Sequence, residues 1–292
     1  MSIVQTLSPH SRTWTFYEGE WREGNTAIMG PRTHGAWLCS TVFDGARRFE
    51  GVAPDLDLHC ERVNRSASIM RLQPCVSVEE WLRLSAEGMA RFAPDTDLYI
   101  RPMYWAESGL GGGVKHDPAS TRWCLCLYEA PMPPPRGVSI TLSPYRRPTA
   151  DCAPVEAKAG CLYPNGGRAL AEAADRGFDN AVMCDALGNV AELANANIVI
   201  VKDGVAHTPV PNGTFLDGIT RRRVLALLRQ DGTTVVERTM RWQEFLEADE
   251  IFSCGNFAKV APVSRIEGRL LPIGSVASRA RELYWAFAHG DG

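Results

Sequence analysis

At 292 residues the chain is long enough to bury one large or two medium cores, and its 31 basic and 34 acidic residues leave a net charge of −3. No cluster of Lys and Arg interleaved with aromatics points to nucleic acid, and no stretch approaching 18 apolar residues marks a membrane span. Glu18, Glu20 and Glu23 lie near the start with no apolar run of leader type around them, so the expected compartment is the cytoplasm. Nine cysteines, an odd number with no C-x-x-C pair, predict reduced and mostly buried thiols. The six histidines form no H-x-x-x-H or H-E-x-x-H pattern, so no metal site is expected.

In chain order, Trp14–Tyr17 reads as a strand, a turn falls near Glu23-Gly24-Asn25, and Trp37–Phe43 and Gly45–Phe49 read as further strands. From Asp57 the apolar positions Val63, Ala67, Met70 and Leu72 follow helical spacing until Pro74 ends the helix. Ser77 with Glu80 is a capping box ahead of a second helix, Val78 to Phe92. A strand over Leu98–Trp105, a glycine-rich loop over Ser108–Gly113 and an alternating strand over Trp123–Tyr128 follow. Four prolines within Pro131–Pro135 join neither a helix nor a central strand and predict a stiff connector between domains. Beyond it come strands at Val138–Leu142, Asn180–Asp185 and Ile198–Lys202, with a helix near Gly167–Arg176 closed by Gly177. A loop at Asn212–Asp217 leads to a helix opened by Gly218-Ile219-Thr220 and running through Leu228. Strands at Val235–Thr239, Glu250–Ser253 and Val260–Val263 precede a last helix, Ser275 to Ala288. Strands and helices mix without strict alternation or internal repeat, which predicts an α+β fold in two domains.

Four local features satisfy the demands of one cofactor. Lys158 sits in a nearly apolar run, Ala157-Lys158-Ala159-Gly160, where desolvation disfavours the ammonium. An unprotonated amine is what imine formation with an aldehyde cofactor requires. Glu192, after a turn at a strand end, would hold a pyridine nitrogen protonated and make the ring an electron sink. The helix opened by Gly218 offers free N–H groups to a phosphate, and Arg62 offers a planar fork. These are the demands of pyridoxal 5′-phosphate (PLP). Each residue also has an ordinary reading: Lys158 as a solvated lysine, Glu192 as a turn carboxylate, Arg62 as a salt-bridge partner, and Tyr163, Tyr99 and Phe43 as packing aromatics.

The ordered motifs narrow the choice. They are H-x-x-R-x-x-x-S-A at His59–Ala67, Y-I-R-P at Tyr99–Pro102, K-A-G-x-x-Y at Lys158–Tyr163, G-N-V-x-E-x-x-x-x-N at Gly188–Asn197, T-P at Thr208-Pro209 and L-x-G-I-T-R at Leu216–Arg221. In this order the sequence resembles the fold-type IV PLP enzymes, most of all the branched-chain amino acid aminotransferases, over residues 30–270. The resemblance implies a D-amino acid aminotransferase-like, two-domain α+β fold. A small N-terminal domain (1–130) and a linker (131–137) would precede a larger PLP-binding domain (138–292) with a barrel-like sheet. It implies that Lys158 bonds the cofactor and shuttles the substrate proton, and that Glu192 binds the pyridine nitrogen and Tyr163 the phenolic oxygen. Arg62, Ile219, Thr220 and Asn256 would hold the phosphate, Leu216 would pack on the ring, and Asn197 belongs to the cofactor set. Phe43, Tyr99 and Arg101 would line a substrate pocket completed by a second subunit of a homodimer. The implied reaction moves the amino group of a hydrophobic, branched-chain type amino acid to 2-oxoglutarate, a 2-oxo acid acceptor.

Two departures bear on the substrate. Gly255-Asn256-Phe257 replaces the family's G-T-A, placing Phe257 where a small residue meets the substrate carboxylate, and Leu38 stands where a tyrosine is usual. They keep open an (R)-selective amine or D-amino acid transaminase. A 4-amino-4-deoxychorismate-type lyase and a non-catalytic binding protein are the other readings.

Overall fold

The computed structural model of the chain describes residues 10–111 and 113–290. The chain divides between Pro131 and Met132 into two compact units, at the start of the proline run, and residues 130–137 join no strand. Prolines lack the N–H that a sheet ladder needs, which keeps this segment out of both sheets.

The first unit is an antiparallel sheet with helices packed on it. Its elements are β1 (Thr13–Tyr17), β2 (Glu20–Glu23), α1 (His34–Leu38), β3 (Thr41–Phe43), β4 (Ala46–Arg48), α2 (Leu56–Ile69) and α3 (Val78–Met89). Then come β5 (Leu98–Ala106), β6 (Gly109–Leu110), β7 (Lys115–His116) and β8 (Thr121–Glu129). The strand order is β2-β1-β8-β5-β3, with β4 also on β5. Helix α2 buries His59, Cys60, Arg62, Val63, Ser66 and Ala67, a stripe at three- and four-residue spacing. Helix α3 buries Trp81, Leu84, Ser85 and Gly88 in the same way against β1, β5 and β8, with Trp81 edge-on to Tyr104 and Trp123 and Gly88 beside Leu127.

The second unit comprises β9 (Val138–Arg146), α4 (Tyr163–Asp175), β10 (Asn180–Cys184), β11 (Val190–Leu193), β12 (Asn197–Lys202), β13 (Val205–Pro209) and α5 (Ile219–Gln230). It continues with β14 (Val235–Arg238), α6 (Trp242–Leu246), β15 (Glu250–Gly255), β16 (Lys259–Ile266), β17 (Arg269–Leu270) and α7 (Ser275–His289). The sheet runs β11-β10-β9-β16-β15-β12-β13-β14, with β17 beside β16, and curls into a half-barrel. Ile140, Val182, Leu193, Ile198, Ile200, Phe245, Ile251 and Val263 fill one core cluster. Ala169 and Ala173 of α4 pack on Ala181, Met183 and Ala194.

Several expectations need correction. The segment Trp37–Phe43 is not one strand: His34–Leu38 is a helical turn and Cys39 takes a left-handed backbone, φ 56°, before β3 begins. The turn seats Gly35 on Trp105, where a Cβ would lie 2.9 Å from the Trp105 Cβ. Helix α2 stops at Ile69, short of Pro74, because Arg71 turns left-handed at φ 55°. The Ser108–Gly113 loop contains strand β6, paired with β7. Of the capping box, the Ser77 Oγ accepts from the Glu80 N–H at 3.2 Å, while the Glu80 carboxylate pairs with Arg83. Strands β2, β11, β13 and β17 and helix α6 carry too few residues to display a period and are absent from the sequence reading.

Candidate active site

In the second unit, Lys158 follows β9 in a segment pinned by the buried Ala157 and Ala159 on either side. Its Nζ donates to the Tyr163 Oη at 2.6 Å and stands 5.3 Å from the centre of that ring. Tyr163 is the first residue of α4, with Pro164 following where no intrahelical N–H is required, and Tyr163 itself is 40% exposed. Glycine 166 fixes the approach of α4 to the sheet, since a Cβ there would meet the Ala194 carbonyl at 2.7 Å.

Glu192 is on β11, after the turn in which the Asp185 Oδ1 accepts from the Leu187 and Asn189 N–H groups and Gly188 takes φ 83°. The carboxylate is buried, with the Arg147 guanidinium at 3.2 Å and the Asn197 Nδ2 donating at 3.2 Å. Burial pushes its pKa up to about 7, opposed by the charges of Arg147 and Lys158. Arg147 is itself anchored, donating from Nε to the Thr214 carbonyl at 3.1 Å. The Asn197 Nδ2 also donates to the Leu216 carbonyl at 3.0 Å, so one amide ties the acid to the loop that leads into α5.

Gly218 caps that helix. A Cβ at this position would lie 2.3 Å from the Asn197 Oδ1, so only glycine fits. Ile219 and Thr220 occupy the first helical positions, whose N–H groups have no partner within a helix. In the sheet Asn197 is opposite Cys254, two residues before Asn256, so the start of α5 and the β15–β16 turn lie at one end of the half-barrel. The Asn256 Oδ1 accepts from the Lys259 Nζ at 2.7 Å, and its Nδ2 is buried with no hydrogen-bond partner. Phe257, on the same turn, is 64% exposed.

The remaining predicted residues lie in the first unit. Arg62 donates from Nε to the Asp44 Oδ2 at 2.6 Å and from Nη2 to Oδ1 at 2.8 Å. The His59 Nδ1 lies 2.6 Å from the same Oδ1, and the Gly45 N–H donates to it at 2.7 Å. Burial alone would raise the pKa of Asp44, but Arg62 and His59 outweigh it and hold the group well below the usual carboxylate range. Phe43, Tyr99 and Arg101 share a face of the sheet. The Arg101 guanidinium lies 5.8, 5.1 and 5.1 Å from the rings of Phe43, Tyr99 and Tyr128, and its buried Nε has no hydrogen-bond partner. The Tyr99 hydroxyl fills the space over Gly45, 1.9 Å from where a Cβ would stand. Leu38 is half-buried at the end of α1.

Sequence reading missed Asp44, Arg147, Tyr128 and Lys259, each of which touches a residue it had named. The paired arginines of Tyr145-Arg146-Arg147-Pro148, eleven residues before Lys158, and the acid in V-F-D-G were available signals. The expectation of mostly buried thiols is corrected: Cys60, Cys124, Cys184 and Cys254 are buried, whereas Cys75, Cys152 and Cys161 are exposed. Among the described residues no group of three or more His, Cys, Asp or Glu side chains is arranged to hold a metal ion.

A half-barrel with this lysine, this buried acid and this helix start is the scaffold of a fold-type IV aminotransferase. Residues 41–266 match the family described as Amino-transferase class IV, and the chain belongs to it. It is similar to the crystal structure of an aminotransferase from Brucella abortus bound to the cofactor PLP, at 52% identity and TM-score 0.94, covering 95% of this chain and 99% of that one. A branched-chain aminotransferase from Thermoproteus uzoniensis, solved with norvaline, is similar at 28% identity and TM-score 0.87 over 96% of this chain and 95% of that one. The branched-chain-amino-acid aminotransferase of Pseudomonas aeruginosa is 31% identical over 289 residues, 94% of this chain and 92% of its own length.

Proposed function

We propose that the chain is a PLP-dependent transaminase that moves the amino group of a hydrophobic, branched-chain type amino acid to 2-oxoglutarate. The observation that carries this is the Lys158–Tyr163 hydrogen bond, with the charge of Lys158 acting on the buried Glu192. The residues present fit the cofactor: a lysine amine for an aldehyde, a buried acid for a ring nitrogen, and donors for a phosphate. Those donors are the N–H groups of Ile219 and Thr220 and the orphaned Asn256 Nδ2. Arg62 is the further phosphate ligand in this reading, and Leu216 packs on the ring.

Bound PLP supplies an electron sink for the pair of electrons left when the substrate α-carbon loses its proton. The Lys158 Nζ would hold the cofactor and, when not so engaged, would take the substrate α-proton and return it. Tyr163 orients the amine through its hydroxyl. A cationic ring nitrogen beside Glu192 would draw its pKa down from about 7, so the acid is ionised where it accepts the ring N–H, with Arg147 and Asn197 holding its other contacts. Phe43, Leu38, Tyr99 and Arg101 are the substrate residues of the first unit in this reading, and Phe257 is that of the second. The working form is a homodimer with the active site at the subunit interface, where the exposed Trp37, Leu110 and Val114 supply apolar surface. No helix among the described residues is long and apolar enough to cross a membrane.

A second substrate class within the same chemistry is favoured by one feature. The exposed Phe257 stands on the turn next to Asn256 in place of the small residue of the G-T-A pattern, and an altered pocket of this kind is where an (R)-amine or a D-amino acid enters the reading. The test of the reaction itself is transfer from L-leucine to 2-oxoglutarate by wild-type and Lys158→Ala enzyme. The variant is expected to lose at least about 10³-fold in turnover together with the absorbance of the bound cofactor. Turnover retained by Lys158→Ala would overturn the assignment. Pyruvate release from aminodeoxychorismate without an acceptor would reassign the chain to the lyases.

A further inference from the structure

We propose that Lys259 is a positioning residue for the cofactor: it fixes the amide of Asn256 so that the Nδ2 donor faces the phosphate of PLP. The proposal rests on the reading of the site given above and adds to it a residue that sequence motifs do not name. Asn256 lies in the turn between β15 and β16, and Lys259 opens β16, paired with Gly255 at the end of β15. The Lys259 side chain is buried, with the residue only 1% exposed. Its ammonium stands 2.7 Å from the Asn256 Oδ1 and 5.6 Å from the ring centre of Tyr284, itself fully buried on α7.

The orientation of an amide is ordinarily ambiguous, because O and N look alike. Here chemistry settles it. An ammonium carries donors and no acceptor, so the atom facing Lys259 has to be the amide oxygen. The NH₂ group therefore points the other way, and it is this Nδ2 that is buried without a partner. A buried donor is costly until an acceptor arrives, and the phosphate of the proposed cofactor is such an acceptor. Asn197, opposite Cys254 in the sheet and against Gly218 at the start of α5, places this donor at the same end of the sheet as the helix N–H groups.

The backbone supports the same conclusion. Lys259 has φ 60°, a left-handed conformation that glycine or asparagine adopts with less strain. A buried lysine held there against both its backbone preference and the desolvation of its charge has a task at its ammonium end. That task is to hold one rotamer of Asn256. Simple attraction of the phosphate by a nearby positive charge is a different role and gives a different result in the test.

The test is titration of the full chain, freed of cofactor, with PLP and with pyridoxal, which lacks the phosphate. Lys259→Met and Asn256→Ala are each expected to weaken PLP binding by about tenfold to a hundredfold, the range of a lost hydrogen bond to a charged group. Pyridoxal binding should stay within about twofold. The double variant should lose no more than either single one, because the two residues act as one device. Lys259→Arg, which keeps a donor for the Asn256 Oδ1, should remain within about threefold of wild type. Unchanged PLP affinity in Lys259→Met overturns the proposal. So does a further loss on adding Lys259→Met to Asn256→Ala, which would mean that the charge acts on the phosphate directly. If Lys259→Met does not fold, a folded Lys259→Arg that loses as much phosphate-dependent affinity as Asn256→Ala overturns it instead. A wild-type chain that binds neither ligand would refute the cofactor reading and is distinguishable from all of these outcomes.

Discussion

At Glu192 burial and two cations act in opposite directions on one carboxylate, and burial wins, leaving the group at about 7 without a cofactor beside it. Its folded pKa thus exceeds the ordinary carboxylate value of 4.5, so between these two values the folded chain keeps a proton that the unfolded chain has lost. The stabilisation from that proton is complete below 4.5 and disappears as pH rises through 7. It amounts to roughly 3 kcal/mol. Denaturant melts of cofactor-free Glu192→Gln and wild type at a series of pH values measure this. The stability difference should move in favour of the glutamine by about that amount from pH 4 to pH 8, and parallel curves would contradict the account. In the first unit Asp44 is in the opposite situation, an ionised carboxylate satisfied by Arg62, His59 and the Gly45 N–H. Asp44→Asn leaves the buried guanidinium without its counter-charge and should cost about 3–5 kcal/mol in unfolding free energy. A loss under about 1 kcal/mol would mean that water or another acceptor reaches Arg62.

At the scale of elements, the start of α5 is tightly constrained. Gly218 is required by a side chain that cannot move aside: Asn197 is held by Glu192 and by the Leu216 carbonyl. Gly218→Ala should therefore push the helix start away from β12, cost about 1–3 kcal/mol in stability, and weaken PLP binding while barely affecting pyridoxal. Equal affinity of the variant and wild type for PLP would remove α5 from the phosphate site. The long amphipathic helices were legible because their buried positions recur at three- and four-residue spacing, as Trp81, Leu84 and Gly88 do on α3. The turn His34–Leu38 was not, because its packing depends on Trp105, seventy residues away from Gly35, and the adjoining apolar residues imitate a strand. Strand β11 was hidden for a related reason. Its four residues are all buried, so no alternation of apolar and polar positions exists to be read.

Across the whole molecule, each unit presents its own set of chemical groups. The half-barrel carries the lysine, the buried acid and the helix start, and the antiparallel sheet of the first unit carries the Asp44–Arg62 pair and the face with Arg101. Of the residues that motifs pointed to in the second unit, Glu192, Leu216 and Gly218 meet at Asn197, and Lys158 meets Tyr163. The partners Arg147 and Lys259 were missed for different reasons: the ion pair of Arg147 with Glu192 joins separate segments and leaves no local pattern, and the contact of Lys259 with Asn256, three residues before it, depends on the geometry of the turn. Membership of the class IV aminotransferases sets the reaction type, and the departures at Leu38 and Phe257 carry the question of substrate in the proposed reading.

The most direct test of that central claim is a set of half-reactions on the purified holoenzyme, following loss of the bound cofactor's absorbance with single amino donors and no acceptor. L-leucine, L-glutamate, D-alanine and (R)-1-phenylethylamine form the panel. The account predicts rapid loss with L-leucine and L-glutamate and little with the other two. Loss with only D-alanine or the amine would contradict the branched-chain assignment, leaving the lysine chemistry intact and placing the specificity with Leu38 and Phe257.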